Sequence, residues 1–355
     1  MPSTASQHLL GLLRITLPVF QAPMAGVSSP AMAAAVSDAG GLGSIGIGAS
    51  NVDAARAMID EVRQRTTAPL HVNLFVHRPA QPDATVEAAW IDRLRPAFEE
   101  LGLAPPPALR EIYTSFDADD AMLAMLVAEK PPIVSFHFGL PAPERIRALR
   151  AAGITLLASA TSLAEARQAA EAGVDAIIAQ GYEAGGHRGM FDPDTPDDQL
   201  GTIALTHILS RRIDLPIIAA GGIMDGAGIR AVLDLGAAAA QLGTAFIATE
   251  ESLADEGYKS ALFSDAAYHT VMTRAISGRP ARSLANRFTR IGANIGPGDI
   301  PSYPIAYDLG KALHAGAKAS NEFGYGAQWA GQGAPLARRM GAAELVQTLA
   351  NEMSA

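Results

Sequence analysis

The chain contains no cysteine. That excludes disulfides, thiolate catalysis and iron–sulfur clusters, and it suits a reducing compartment. Charge is scarce: 18% of the 355 residues are charged, and the formal net charge is −9. No basic run or aromatic RNA motif is present, which argues against a nucleic-acid surface. The lysines are only Lys130, Lys259, Lys311 and Lys318. Any anionic ligand must therefore rely mainly on backbone N–H groups, hydroxyls and arginines. Long apolar runs are missing too. The longest uncharged stretch, 15–37, is broken by Pro18, Gln21, Pro23 and Ser28-Ser29-Pro30, unlike the roughly 20 continuous apolar residues of a membrane span. No basic segment followed by an apolar core opens the chain. The expectation is a cytoplasmic protein with neither membrane nor nucleic-acid partners. The histidines show no His-x-x-x-His or His-Glu-x-x-His spacing, so no metal site is indicated.

What is abundant is apolar: 49% of residues are hydrophobic, enough for a large core. Short apolar runs read as strands at 15–24, 42–47, 70–75, 133–138, 154–159, 174–179, 215–220 and 238–242. Helical patterns alternate with them at 31–39, 50–65, 119–129, 144–152, 162–172, 203–211 and 225–235. Ser28 or Ser29 can cap the first of these helices, with Pro30 in its first turn. Ser162-Leu-Ala-Glu165 is a capping box. Eight strands alternating with helices imply an α/β fold with a parallel sheet covered on both faces, and the count favours a TIM (β/α)8 barrel. The rhythm breaks at 78–118, where Pro79, Pro82, Pro96 and Pro105-Pro106-Pro107 surround an amphipathic stretch, 86–101. This reads as an insertion over the barrel mouth. The barrel is assigned residues 1–250. The remainder, 251–355, reads as a C-terminal cap lobe. Helices are expected in it at 253–263, 304–316 and 342–353, with a hairpin of 270–277 and 280–284 around Gly278.

Gln180-Gly-Tyr-Glu-Ala-Gly-Gly-His-Arg-Gly189 follows the sixth expected strand. Polar loops at the C-terminal ends of barrel strands carry the chemistry of this fold, and glycines let backbone approach a flat ligand. His187 is thus expected to face a bound flavin ring and meet substrate there. The plainer reading is a glycine-rich surface loop with a solvated histidine. Glycine turns also follow the last two strands, Ala220-Gly-Gly-Ile223 and Gln241-Leu-Gly-Thr244. That is where such barrels bind phosphate; ordinary tight turns are the alternative. No Gly-x-Gly-x-x-Gly turn follows the first strand, which disfavours a Rossmann dinucleotide site.

Together with Gln21-Ala-Pro-Met-Ala-Gly26, Asn73, Ser135-Phe-His-Phe-Gly-Leu-Pro141 and Ala158-Ser-Ala-Thr-Ser162, the 180–189 stretch resembles the nitronate monooxygenases, formerly called 2-nitropropane dioxygenases. The resemblance runs from residue 16 to about 330. It implies one noncovalent FMN, O2 as co-substrate and alkyl nitronates as electron donors, with propionate 3-nitronate favoured by the class. It also implies a flavin semiquinone on the way to an aldehyde or ketone plus nitrite. By the same resemblance, Ala22, Pro23, Met24, Asn73, Gln180, Gly185 and Gly186 meet the isoalloxazine or ribityl chain. Gly221, Gly222, Gln241, Gly243 and Thr244 hold the phosphate end. His187 matches the active-site histidine and His137 a second one near the ring, while Arg188 reads as a loop anchor. Tyr303, Tyr307 and Lys311 recur at intervals of four, on one face of a helix whose first turn suits Pro304, with Tyr303 near its N-cap. Packed tyrosines and a solvated lysine are the plain reading; the resemblance makes these three the clamp for a substrate carboxylate. The assembly is left open, with a homodimer as one possibility. Two other readings remain: an NAD(P)H-dependent FMN reductase of the enoyl-ACP or quinone reductase type, and a non-catalytic flavin-binding module.

Overall fold

A computed structural model describes residues 3–355. Its centre is a ring of β1 (Val19–Gln21), β2 (Gly43–Gly46), β3 (Leu70–Phe75), β4 (Ile133–His137), β5 (Thr155–Ala160), β6 (Ala176–Gln180), β8 (Ile217–Ala220) and β9 (Ala239–Leu242). These strands pair in the order β1-β9-β8-β6-β5-β4-β3-β2, each pair parallel. Leu42 closes the ring: its N–H donates to Val19 O at 2.9 Å and its carbonyl accepts from Gln21 N–H at 3.0 Å. The expected TIM barrel is therefore present. Its strands are almost wholly buried because helices cover the outer face and packed side chains fill the inner one. Three further strands, β7 (Gly186–His187), β10 (Thr270–Thr273) and β11 (Ala281–Leu284), form a separate antiparallel sheet.

Local chemistry sets the element ends. The first strand is shorter than expected: before it Thr16 and Leu17 N–H both go to Gly40 O, at 3.1 and 2.9 Å, and beyond it Val27 and Ser28 N–H turn back to Met24 O, at 3.0 and 2.8 Å. Ser29, not Ser28, caps the helix Pro30–Asp38 through Met32 N–H at 2.9 Å. Ser28 instead ties the loop after β1, accepting from Gln21 Nε2 at 2.8 Å and Met24 N–H at 3.0 Å. The expected capping box forms only by half. Ser162 Oγ takes Glu165 N–H at 3.2 Å, but the Glu165 carboxylate takes Thr161 N–H at 2.6 Å and Phe191 N–H at 2.8 Å. Glu165 thereby anchors the chain just beyond His187. At the other end of the barrel, Leu9 and Leu13 of the helix Thr4–Leu13 pack with Phe20, Ile133 and Ile218. This plug is absent from the sequence reading.

The 78–118 segment supplies the helix Ala84–Glu100, whose Trp90, Leu94 and Phe98 share a core with Leu309, Leu313 and Ala317 of the helix Ile305–Ala319. Insertion and tail thus build one apolar layer. The hairpin forms in register Thr273 to Ala281, and Ala281 also pairs with His187. The helix expected at 253–263 shortens to Glu256–Ala261, because Asp255 caps it through Tyr258 N–H at 2.9 Å. The last helix, Ala342–Ser354, returns to the barrel wall: Leu345, Val346 and Leu349 pack with Val36, Ile229 and Val232. No helix among the described residues is long and apolar enough to cross a membrane.

Candidate active site

A cavity of about 690 Å³ opens at the C-terminal ends of the strands. The loop after β1 lines it with Ala22, Pro23 and Met24; β3 and β6 contribute Asn73 and Gln180; the loop after β6 adds Gly185, Gly186 and His187. The turns after β8 and β9 bring Gly221, Gly222, Gln241, Gly243 and Thr244. His137 enters from the end of β4, and Tyr303, Tyr307 and Lys311 close the cavity from above. Every site residue proposed from the sequence reaches this one space. Tyr113, Ser135, Ser159 and Trp329 also line it and were not singled out as site residues.

His187 is fixed from both sides. Its main chain is a strand residue paired to Ala281, and its carbonyl accepts from Gln180 Nε2 at 2.9 Å and His137 Nε2 at 3.2 Å. Its ring centroid lies 5.1 Å from Trp329, 5.5 Å from Phe138 and Tyr303, and 6.1 Å from Tyr307. Nε2 bonds Ser277 Oγ at 2.8 Å; Nδ1 has no partner among the described residues. Burial, followed by the nearby His137 and Arg279, lowers its pKa from 6.5 to about 3, so the imidazole is neutral. Ser277 sets its tautomer. A Ser277 proton given to Arg279 O, at 3.3 Å, leaves Nε2–H on Ser277 and a bare Nδ1. A Ser277 proton given to Nε2 leaves Nδ1–H as a donor.

His137 is more constrained. Nε2–H donates to the His187 carbonyl and Nδ1 accepts from Ser159 Oγ at 2.9 Å. Both nitrogens are spent on the protein, and burial lowers the pKa to about 4. A Cβ on Gly189 would fall 2.9 Å from His137 Cε1, so the loop needs glycine to pass this ring. Gln180 is committed as well: its Oε1 accepts Gly189 N–H at 2.7 Å. Its amide shapes the histidine loop. Arg188 is a buried anchor, with Nε and Nη2 on Asp197 at 2.8 and 2.9 Å and Nη1 on Gln180 O at 2.9 Å.

Above His187 stands an aromatic box. The Tyr113 ring lies 6.3 Å from Tyr303 and 6.0 Å from Tyr307. Lys311 Nζ sits 4.9 Å above Tyr113 and 5.4 Å above Tyr307, a cation–π placement with no carboxylate at ion-pair distance among the described residues. Burial draws the Lys311 pKa below 10.5, against an opposing pull from Asp308. The Tyr303 hydroxyl is buried without a partner. Pro304 is itself the N-cap of Ile305–Ala319, one residue later than expected, and the three side chains still share the cavity face.

The residues fit a bound flavin with a phosphate end. Gln241 Oε1 is buried without a partner and lines the cavity. Asn73 Nδ2 donates to Ser135 Oγ at 2.8 Å, which leaves Oδ1 for a ligand donor. Gly331 N–H donates to Thr244 Oγ1 at 3.0 Å, so the hydroxyl proton remains for a phosphate oxygen. Gly221 and Gly222 have φ of 121° and 70°, a turn that L side chains resist.

The nitronate monooxygenase family model matches residues 6–352. The chain belongs to the nitronate monooxygenase family. A nitronate monooxygenase of Paraburkholderia phytofirmans is 61% identical over 350 residues, covering 99% of this chain and 96% of that one. Among solved structures, a nitroalkane oxidase from Streptomyces ansochromogenes superposes with a TM-score of 0.88 at 41% identity, covering 98% of each chain. FabK from Thermotoga maritima gives 0.75 at 30%, covering 98% of this chain and 96% of that one. The chain is therefore a flavin-dependent oxidoreductase of the nitronate-oxidising kind.

Of Tyr113, Ser135, Ser159 and Trp329, the first and last carry no mark in the sequence, for a physical reason. Tyr113 lies in irregular chain after a proline run, and Trp329 in a loop; neither has a periodicity or neighbouring motif to mark it.

Proposed function

We propose that this enzyme oxidises alkyl nitronates with bound FMN and O2, releasing an aldehyde or ketone and nitrite, and that propionate 3-nitronate is its substrate. The reading rests on one observation. A neutral histidine with a free Nδ1 faces the same cavity as a buried, unpartnered tyrosine hydroxyl and a lysine that no carboxylate neutralises.

Each group has a place in that chemistry. FMN held in this cavity would supply the redox centre between the nitronate and O2. A nitronate is already a carbanion equivalent, so no base is needed to begin. Nδ1–H of His187 donates to a nitronate oxygen; with a neutral nitroalkane the other tautomer offers Nδ1 as base. His137 is a positioning residue that holds the His187 carbonyl. The Tyr303 hydroxyl, Tyr307 and the Lys311 ammonium take the substrate carboxylate, whose removal from water would otherwise be costly. The aromatic box excludes water around the reacting carbon. Met24, Asn73 and Gly185-Gly186 face the isoalloxazine or ribityl chain. The Gly221-Gly222 turn, Gly243 and Thr244 hold the phosphate by backbone N–H groups and a hydroxyl, as a chain with four lysines requires.

Heat release of the cofactor and its mass test the first element: FMN is expected, and FAD would contradict it. The likeness to FabK favours a reductase as second reading. Anaerobic mixing with NADH separates the two: the flavin is expected to stay oxidised, whereas rapid bleaching would make the enzyme a pyridine-nucleotide reductase.

A further inference from the structure

A charge with no counterion lies behind the site. Arg279 is 3% exposed. One guanidinium Nη donates to Met190 O, and its Nε is buried with no partner. Two neighbouring arginines are paired, Arg188 with Asp197 at 2.8 Å and Arg274 with Asp194 at 3.6 Å. Arg279 has no such carboxylate within 4.0 Å among the described residues; Asp194 and Glu165 act on it only at longer range, against Arg274. A buried, unpaired guanidinium is a costly thing for a fold to keep.

Its position gives the reason. The guanidinium carbon stands 4.3 Å from the Phe138 ring centroid. The same ring lies 4.5 Å from His137, 5.5 Å from His187 and 5.4 Å from Tyr303. One aromatic ring therefore separates the charge from the cavity wall, and its burial leaves it weakly screened. The main chain keeps the two in register: Arg279 O accepts from Ser277 Oγ, which also bonds His187 Nε2.

We propose that Arg279 is a fixed positive charge behind the active site, a positioning residue that favours anions in the cavity, the nitronate substrate and the reduced flavin, without touching either. The identity of these anions rests on the function proposed above; the unpaired charge does not. Arg279 also disfavours a proton on His77, His137 and His187. Beside the Lys311 ammonium in the cap, the site thus has a second positive charge, on a side chain whose pKa burial lowers to about 10 and which keeps its own proton at neutral pH.

The test is the midpoint potential of the bound flavin in wild type, Arg279→Met and Arg279→Lys. The Met variant keeps the bulk and removes the charge; the Lys variant keeps the charge. In Arg279→Met the reduced flavin is expected to lose about tenfold in stability relative to the oxidised form, about 59 mV for one electron, and KM for ethyl nitronate to rise about tenfold. Arg279→Lys should hold both within about threefold. If Arg279→Met loses its flavin, Arg279→Gln against Arg279→Lys gives the same comparison. An unchanged potential without the charge, or equal falls in the charged and uncharged variants, would overturn the assignment. A wild-type protein that oxidises no nitronate would refute the functional reading, while the potentials would still decide the role of Arg279.

Discussion

His187 keeps its neutral form because burial among aromatic rings opposes the charged one, which lowers its pKa to about 3. A histidine whose folded pKa lies below its free value gains no proton until the pH falls through the folded one. Initial rates on a preformed nitronate should therefore show no break near pH 6.5. A break there would mean that water reaches the imidazole. His187→Asn is expected to retain flavin and lose at least about tenfold in turnover, roughly 1.4 kcal/mol. Neutral nitroalkanes should lose more than nitronates, since only they need a base; equal losses would make His187 a binding group. Lys311 carries the opposite sign. Its lowered pKa means that its charge is present below that value and disappears, as pH rises, earlier than for a free lysine. KM for propionate 3-nitronate should climb on the alkaline side while that for ethyl nitronate does not. Lys311→Met should raise the former about tenfold at neutral pH, the worth of one charge-assisted hydrogen bond. A similar rise on ethyl nitronate would show that the helix supports the fold or the flavin and does not read the carboxylate.

Among the elements, the cap layer governs the clamp. Trp90 of the insertion helix is fully buried against the helix that carries Tyr307 and Lys311. Trp90→Ala should cost about 3–5 kcal/mol of packing. Because the barrel has its own core, KM for propionate 3-nitronate should rise while flavin stays bound. An unchanged KM would mean that the insertion does not position the clamp. The elements also show what could be read from the sequence. Leu70–Phe75 was found to the residue, because six apolar-rich positions between turn signals have one solution. The hairpin around Gly278 is visible as well, although its first strand ends at Thr273, short of the expected 277. The pairing of that hairpin with His187 was not, since contacts across about 90 residues leave no local pattern. The N-terminal plug was overlooked, although Leu9, Leu10, Leu12 and Leu13 crowd a short helix. Among site residues, those in glycine-rich turns were legible, because turn chemistry requires particular residue types. Tyr113, Trp329 and Arg279 were not, because an aromatic or arginine in an irregular segment is ordinary until the fold buries it.

For the whole molecule, four neutral histidines make stability pH-dependent. Their pKa values fall from 6.5 to about 3 for His71 and His187 and about 4 for His77 and His137, in each case chiefly through burial. Below pH 6.5 the unfolded chain takes up protons that the folded chain refuses. The stabilisation is therefore complete above 6.5 and is lost as pH falls toward 4, by about 1.4 kcal/mol per pH unit for each histidine. Urea midpoints of the flavin-bound protein should drop between about pH 7.5 and 5.5; a flat profile would contradict the burial of these rings. The barrel holds the cofactor turns, the cap brings the aromatic box and the lysine, and β7 with β11 places the histidine between them. Together these parts form a cavity suited to oxidising an anionic nitronate. Oxygen uptake by the purified, flavin-bound protein with propionate 3-nitronate, followed together with nitrite release, tests this function most directly. Both are expected to occur, and both to fall at least about tenfold in His187→Asn. A flavin-loaded wild type that consumes no oxygen with this substrate or with ethyl nitronate would contradict this function.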